Sequence, residues 1–277
     1  MQLQRYGVDV LLLEKERVGG LLINANLVEN YLGFPGGIPG EQLVELFRRQ
    51  VQELEVRLAL TEVIGLDYLS GCFQAITIHG EYSAPVAVVA TGTTPKALPD
   101  LAIPGQLQKQ VISEIHPVKH VTGKRFVLIG AGDLAFDYAL NLSRHNEVII
   151  LNRDTEKKCL PVLWERAQAQ PGIRYWVETC LQTIAPHSNG QILLSCLRQG
   201  GKVEIQCDYL VIAIGRQPQT GYFSPGLRHA AGELQDRGLL HLIGDVKNGL
   251  YRQAAIAAGD GIYSAMKIFE LLKGSAA

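Results

Sequence analysis

Paired cysteines are missing from this sequence. Its five cysteines, Cys72, Cys159, Cys180, Cys196 and Cys207, are scattered, and no two stand at CxxC spacing. A thioredoxin-like dithiol and a cysteine zinc site therefore lack support. His116 and His120 share a helical spacing, but Pro117 between them argues against a helix, so no metal ligand is assigned. An excess of charge of either sign is also lacking: the net charge of −1 gives no footprint for a nucleic acid or an anionic membrane surface. Long apolar runs are absent: runs such as 10–13 and 85–90 are too short to span a bilayer. The opening residues run into the charged EKER stretch without a cleavage site, so no secretory signal is read and a cytoplasmic protein is expected.

What is present centres on 125–154, RFVLIGAGDLAFDYALNLSRHNEVIILNRD. The apolar run 126–129, the glycines Gly130 and Gly132, a helical stripe through Tyr138, Leu140 and Leu142, and the apolar run 148–151 predict strand, tight turn, helix and strand. This is the dinucleotide-binding pattern. Gly130 permits the turn, Gly132 leaves room for a pyrophosphate, and Ala135 lets the helix pack close to the strand. Asp133 and Leu134 open the helix, whose free N–H groups and partial positive charge suit phosphate. An acidic residue ending the second strand would favour NADH. Here Asn152 and Arg153 stand there, with Lys157 and Lys158 beyond, which favours NADPH, with NADH as the alternative.

A second such unit opens the chain. A helix over 1–6 closing at Gly7 leads into a buried strand, 8–13, and Glu14 stands where an acidic residue accepts from a ribose hydroxyl. The phosphate loop of such a unit lies about 20 residues earlier, so the expectation is that its first strand and loop lie upstream of Met1, through an earlier start or in a truncated relative. A Gly- and Asn-rich loop follows, including Gly19, Gly20, Asn24, Asn26 and Asn30. An amphipathic helix over 41–55 is expected to turn Leu43, Leu46, Phe47, Val51 and Leu54 inward. Strands are predicted at 57–60, 63–69, 73–79 and 84–90, and 97–119 reads as a proline-rich connector. Beyond the central unit the prediction is a helix over 164–170, strands at 173–177, 192–197, 203–206, 209–213 and 239–243, and one long helix over 251–273.

Taken together, GGLLINANLVENYLGFPGG, ATGTTPK, GAGDLA, AIGRQPQT and IGDVKNGLYRQAAIAAGDG, in this order over nearly the whole chain, resemble the thioredoxin-reductase-like flavoproteins of the pyridine nucleotide-disulphide oxidoreductase family. The resemblance implies an α/β protein of two dinucleotide-binding (Rossmann-like) domains, the second inserted in the first. FAD would occupy 1–107 and 216–277, with the N-terminal strand and phosphate loop of that domain missing, and NAD(P)H would occupy 108–215. It implies that Glu14 holds the FAD ribose, that Gly19, Gly20, Leu21, Leu22 and Asn30 line the flavin side, and that Thr91 and Gly92 lie near the pyrophosphate. Gly215 belongs to the closing AIGRQPQT segment. Asp245 would meet a ribityl hydroxyl, and Tyr251, Arg252, Gln253 and Ala254 the flavin ring. The family's CxxC is absent where this sequence reads VISEIHPVKH. The reading is therefore an FAD-dependent NAD(P)H oxidoreductase passing hydride from NADPH to flavin and on to an acceptor such as a ferredoxin, a quinone or a small molecule, with no catalytic side chain required. The alternatives are a disulfide reductase using other cysteines and a truncated, non-catalytic nucleotide-binding paralogue. A homodimer is implied by resemblance alone.

Overall fold

The computed structural model describes residues 1–98 and 101–274. Part of the connector predicted at 97–119 lies outside these residues. Among the described residues there are six α-helices: α1 Gln2–Arg5, α2 Gly40–Glu53, α3 Asp133–Leu142, α4 Pro161–Gln168, α5 Pro225–Asp236 and α6 Ala254–Gly274. None is long and apolar enough to cross a membrane. The chain divides into two compact units. Unit 1 is Met1–Leu22, Glu29–Thr94 and Gln217–Ala277; unit 2 is Ile23–Val28 and Pro95–Arg216.

Unit 2 is built on a five-stranded parallel sheet in the order Ile173–Trp176, Glu147–Leu151, Arg125–Ile129, Tyr209–Ile212, Val111–Ile112. Its central strands read as unbroken apolar runs because both faces are covered. Phe126 and Leu128 point into one core with Phe136, Tyr138 and Leu142 of α3, while Val127 points into the other. That second core is closed by a three-stranded antiparallel sheet, Thr179–Pro186, Ile192–Arg198 and Gly201–Cys207, through Ile184, Ile192, Leu194 and Ile205. Five strands were hidden in the sequence, two of them the three-residue pair Thr93–Pro95 and Arg216–Pro218. Val111–Ile112 lies inside the predicted connector and is too short to show a period. Thr179–Pro186 carries a bulge between Leu181 and Thr183 that breaks its alternation. Gly80–Ala84 is mostly exposed and so carries no apolar signal.

Unit 1 contains two parallel pairs, Leu11–Glu14 with Arg57–Leu60 and Ala87–Val89 with Leu240–Leu242. It also contains a three-stranded antiparallel sheet, Val63–Leu69, Cys72–Thr77 and Gly80–Ala84. Its core gathers Leu66, Phe73, Val89, Phe223, Leu227, Leu234, Leu240 and Val246. On α2 the inward face differs from expectation. Leu43 and Val44 are buried, whereas Leu46 is 42% exposed. Leu43, Phe47 and Val51 repeat at i, i+4 and i+8, and Leu46 falls off that stripe toward solvent. Helix α5, absent from the expected elements, is capped by Ser224: its Oγ accepts from the Leu227 N–H and donates to Asp67.

Candidate functional site

In unit 2 the strand Arg125–Ile129 ends in the glycine turn. Gly130 sits at φ +123°, and a Cβ there would run into the carbonyl oxygen of Ala213 on the neighbouring strand, so only glycine fits. Gly132 caps α3 in extended conformation, and a Cβ added to it would meet nothing within 4 Å. The two glycines thus do different work: the first admits the neighbouring strand, the second leaves the space above the helix N-terminus clear. Ala135 is fully buried beneath. Asp133 is tied down, its Oδ1 accepting from the Leu160 N–H at 2.7 Å, and the Ala131 carbonyl accepts from the Lys158 N–H at 2.8 Å. The chain after the second strand therefore folds back against the turn. Leu134 packs against the core on the α3 side.

Asn152 shapes that returning loop. It is buried, its Nδ2 donates to the Glu156 carbonyl and to the Tyr175 hydroxyl, and its Oδ1 accepts from the Asp154 N–H. Its amide is occupied in folding the loop. Arg153 is largely exposed, with Asp154 3.7 Å away, and Lys158 lies 3.5 Å from the same carboxylate. Gly215, at φ +109°, accepts at its carbonyl from the Lys96 N–H.

The segment 23–28 of the Asn-rich loop clusters with unit 2. Asn24 is buried and accepts from the His116 N–H at 2.8 Å. The Asn26 N–H donates to Asp137 Oδ2 at 2.9 Å, and Arg144 donates to Asn26 Oδ1 at 2.7 Å. Burial pushes the Asp137 carboxyl up to about 6 against the N–H groups of Asn26 and Leu27 and the charge of Arg144, which pull it down; Asp133 adds to the rise. Beside it the buried Tyr138 hydroxyl is raised as well, by burial first and then by Glu114.

The residues expected around a flavin all fall in unit 1. Glu14 ends its strand, and its Oε1 accepts from the N–H groups of Glu16 and Arg17 at 2.9 and 3.2 Å, closing the turn that follows. Gly19 adopts φ +104°, and a Cβ there would stand 2.6 Å from Val44 of α2. Gly20, Leu21 and Leu22 form the start of a 3-10 helix, Gly20–Asn24, within the expected Gly- and Asn-rich loop. Asn30 donates to Gln253 Oε1 at 2.7 Å, which joins two of the predicted residues 223 positions apart. Thr91 Oγ1 donates to the Gln219 carbonyl, and the Gly92 carbonyl accepts from the Gln219 N–H. Gly244 and Asp245 form a 3-10 turn. Tyr251, Arg252 and Gln253 precede α6, which begins at Ala254 rather than at Tyr251.

Asp137 and Asp260 escaped the reading of the sequence. Asp260 lies between Gly259 and Gly261 within α6. Two glycines inside a helix disfavour it, and that cost is the usable signal that the stretch is unusual, although a Cβ at Gly259 would meet nothing within 4 Å and one at Gly261 only the Ile243 side chain. The five cysteines are all free. Burial pushes the thiols of Cys196 and Cys207 up to about 11 and about 12, and raises that of Cys159. These three are poor thiolates at neutral pH.

A sequence profile described as pyridine nucleotide-disulphide oxidoreductase matches residues 1–261. Thioredoxin reductase of Treponema pallidum is 25% identical over 94% of this chain and 88% of its own length. That of Streptomyces clavuligerus is 29% identical over 90% and 81%. Among solved structures, thioredoxin reductase of Lactococcus lactis superposes with a TM-score of 0.85 at 22% identity, covering 99% of this chain and 94% of that one. The bacillithiol disulfide reductase of Bacillus cereus gives 0.72 at 19% identity, covering 98% and 94%.

Proposed function

Because the chain belongs to the pyridine nucleotide-disulphide oxidoreductase family, we propose that it is an FAD-dependent NAD(P)H oxidoreductase, with NADPH held by 108–215 and FAD by 1–107 and 216–277. The observation that carries this reading is the glycine turn at the head of α3: Gly130 is required by the strand beside it, while the space at Gly132 stands clear over free helix N–H groups. Bound flavin supplies the redox chemistry, taking hydride from nicotinamide and passing electrons on.

The protein's part is binding and electrostatics. Glu14 Oε1 serves the turn, which leaves Oε2 to accept from a ribose hydroxyl. Arg153 projects into solvent where a 2′-phosphate would come, partly offset by Asp154. The start of α6 would bring a partial positive charge toward the flavin ring, where negative charge would accumulate on reduction.

The electron acceptor is the finer question. The relatives are named thioredoxin reductases, so a disulfide is the second reading. The absence of CxxC from the sequence and the raised thiols of Cys159, Cys196 and Cys207 favour direct exit to a ferredoxin, a quinone or a small molecule. The test is anaerobic titration of the FAD-loaded chain with NADPH. Bleaching of the flavin absorbance, followed by reduction of ferricyanide, is the expected result; flavin that stays oxidised would point to a different donor.

A further inference from the structure

The turn that carries Asp245 is held from α6. Gly244 adopts φ +67°, and a Cβ there would lie 3.2 Å from the Cβ of Ala257, so helix and turn approach as closely as small residues allow. One turn further along α6, Asp260 reaches back to the same segment. Its Oδ2 accepts from the Gly244 N–H at 2.9 Å and from Asn248 Nδ2 at 2.6 Å, and Lys247 Nζ stands 3.5 Å from Oδ1. The Gly244 carbonyl accepts from the N–H groups of Lys247 and Asn248, and the Asn248 carbonyl accepts from the Tyr251 N–H at 2.9 Å. A single carboxylate thereby ties both ends of 244–248 to the helix, and through Asn248 it reaches the segment that opens at Tyr251.

These bonds are of the stronger kind, since the acceptor is charged. Burial works to raise the Asp260 carboxyl, but the Asn248 amide, the Gly244 N–H and Lys247 together hold it below the usual carboxylate range. It is therefore ionised throughout the neutral range. Its side chain is 17% exposed and bonded to this segment. Helix stability does not explain it, because an acid flanked by two glycines is a poor choice for a helix interior.

We infer that Asp260 is a positioning residue for flavin: it sets the turn from which Asp245 would reach the ribityl chain. This rests on the reading of unit 1 as the FAD domain. Asp260 acts through Asp245 and touches no cofactor itself, so its effect on FAD should depend on Asp245 being there.

The test is a double-mutant cycle on the full chain, read by FAD titration, by the visible circular dichroism of bound flavin, and by thermal unfolding without FAD. Asp260→Ala is expected to weaken FAD roughly tenfold and to alter the dichroic band, in line with the loss of charge-assisted bonds. Asp260→Asn keeps one acceptor oxygen and the side-chain volume, and should recover most of both signals. In an Asp245→Ala background the further loss from Asp260→Ala should shrink to under about twofold, whereas the fall in the unfolding midpoint without FAD should be the same in both backgrounds. Wild-type FAD affinity and dichroism in Asp260→Ala would overturn the inference, and so would an undiminished loss in the Asp245→Ala background. If Asp245→Ala itself leaves affinity and dichroism unchanged, the reading of the flavin site fails first and the inference falls with it.

Discussion

At the scale of single residues the glycine turn makes two opposite demands. Gly130 is hemmed in by the Ala213 carbonyl and needs a positive φ. Gly130→Ala should therefore damage the fold itself, by on the order of 3 kcal/mol or more, visible as a lowered thermal midpoint without any ligand. Gly132→Val should leave the midpoint within about 1 kcal/mol, the scale of a changed helix cap. It should nevertheless abolish NADPH and NADH binding in titration, because its branched side chain fills the space kept clear for phosphate. A Gly132→Val protein that binds nucleotide normally would remove the turn from the site. Arg153→Glu should weaken NADPH by about tenfold or more and NADH far less, since only NADPH carries the 2′-phosphate. Equal losses would deny Arg153 that contact. The turn conformations of both glycines were legible in the sequence because backbone conformation is a local property. The hold on Asn152 was not, since its partner Tyr175 lies 23 residues away on the adjacent strand.

Among the elements, the segment 23–28 lying on α3 makes a prediction about pH. The Asp137 carboxyl titrates near 6 in the native state against about 3.9 in an unfolded chain. The native state thus holds this proton more tightly. The resulting contribution to stability is full below about pH 4 and is lost as pH rises through about 6. Two pH units correspond to about 3 kcal/mol, and residual solvent contact at Asp137 brings the expectation to on the order of 2 kcal/mol. Asp137→Asn mimics the protonated form. Denaturant unfolding between pH 4.5 and 7.5 should show the wild type losing stability relative to this variant as pH rises. A constant gap across that window would exclude the mechanism. The strands of the parallel sheet were readable because burial on both faces leaves an unbroken apolar run, as at 126–129 and 148–151. The docking of 23–28 was hidden because it is made by single amides on a carboxylate that the helical pattern treats as one more polar position.

For the whole molecule, removal of the cysteines tests the proposed mode of electron exit. Four of the five lie in unit 2 and Cys72 lies in unit 1. Replacing all five by Ser should preserve NADPH-dependent reduction of ferricyanide by the FAD-loaded protein to within about threefold, allowing for packing losses at the buried Cys196 and Cys207. A disulfide-reducing activity that disappears in that variant while flavin stays bound would establish the thiol route. The order of motifs along the chain disclosed the family. The division of the fold is subtler than a simple insertion of one domain in another. The chain passes between units at Leu22, Val28, Thr94 and Arg216, so unit 2 takes six residues from a loop that otherwise belongs to unit 1. Anyone exchanging unit 2 with that of a relative would naturally cut at the last two crossings. Such a graft would leave behind the side chains of Asn24 and Asn26 that meet His116 and Arg144. The incoming piece would meet a host loop written for another partner. Modular exchange in this architecture is therefore a four-cut problem, and the short loop must travel with the domain it serves.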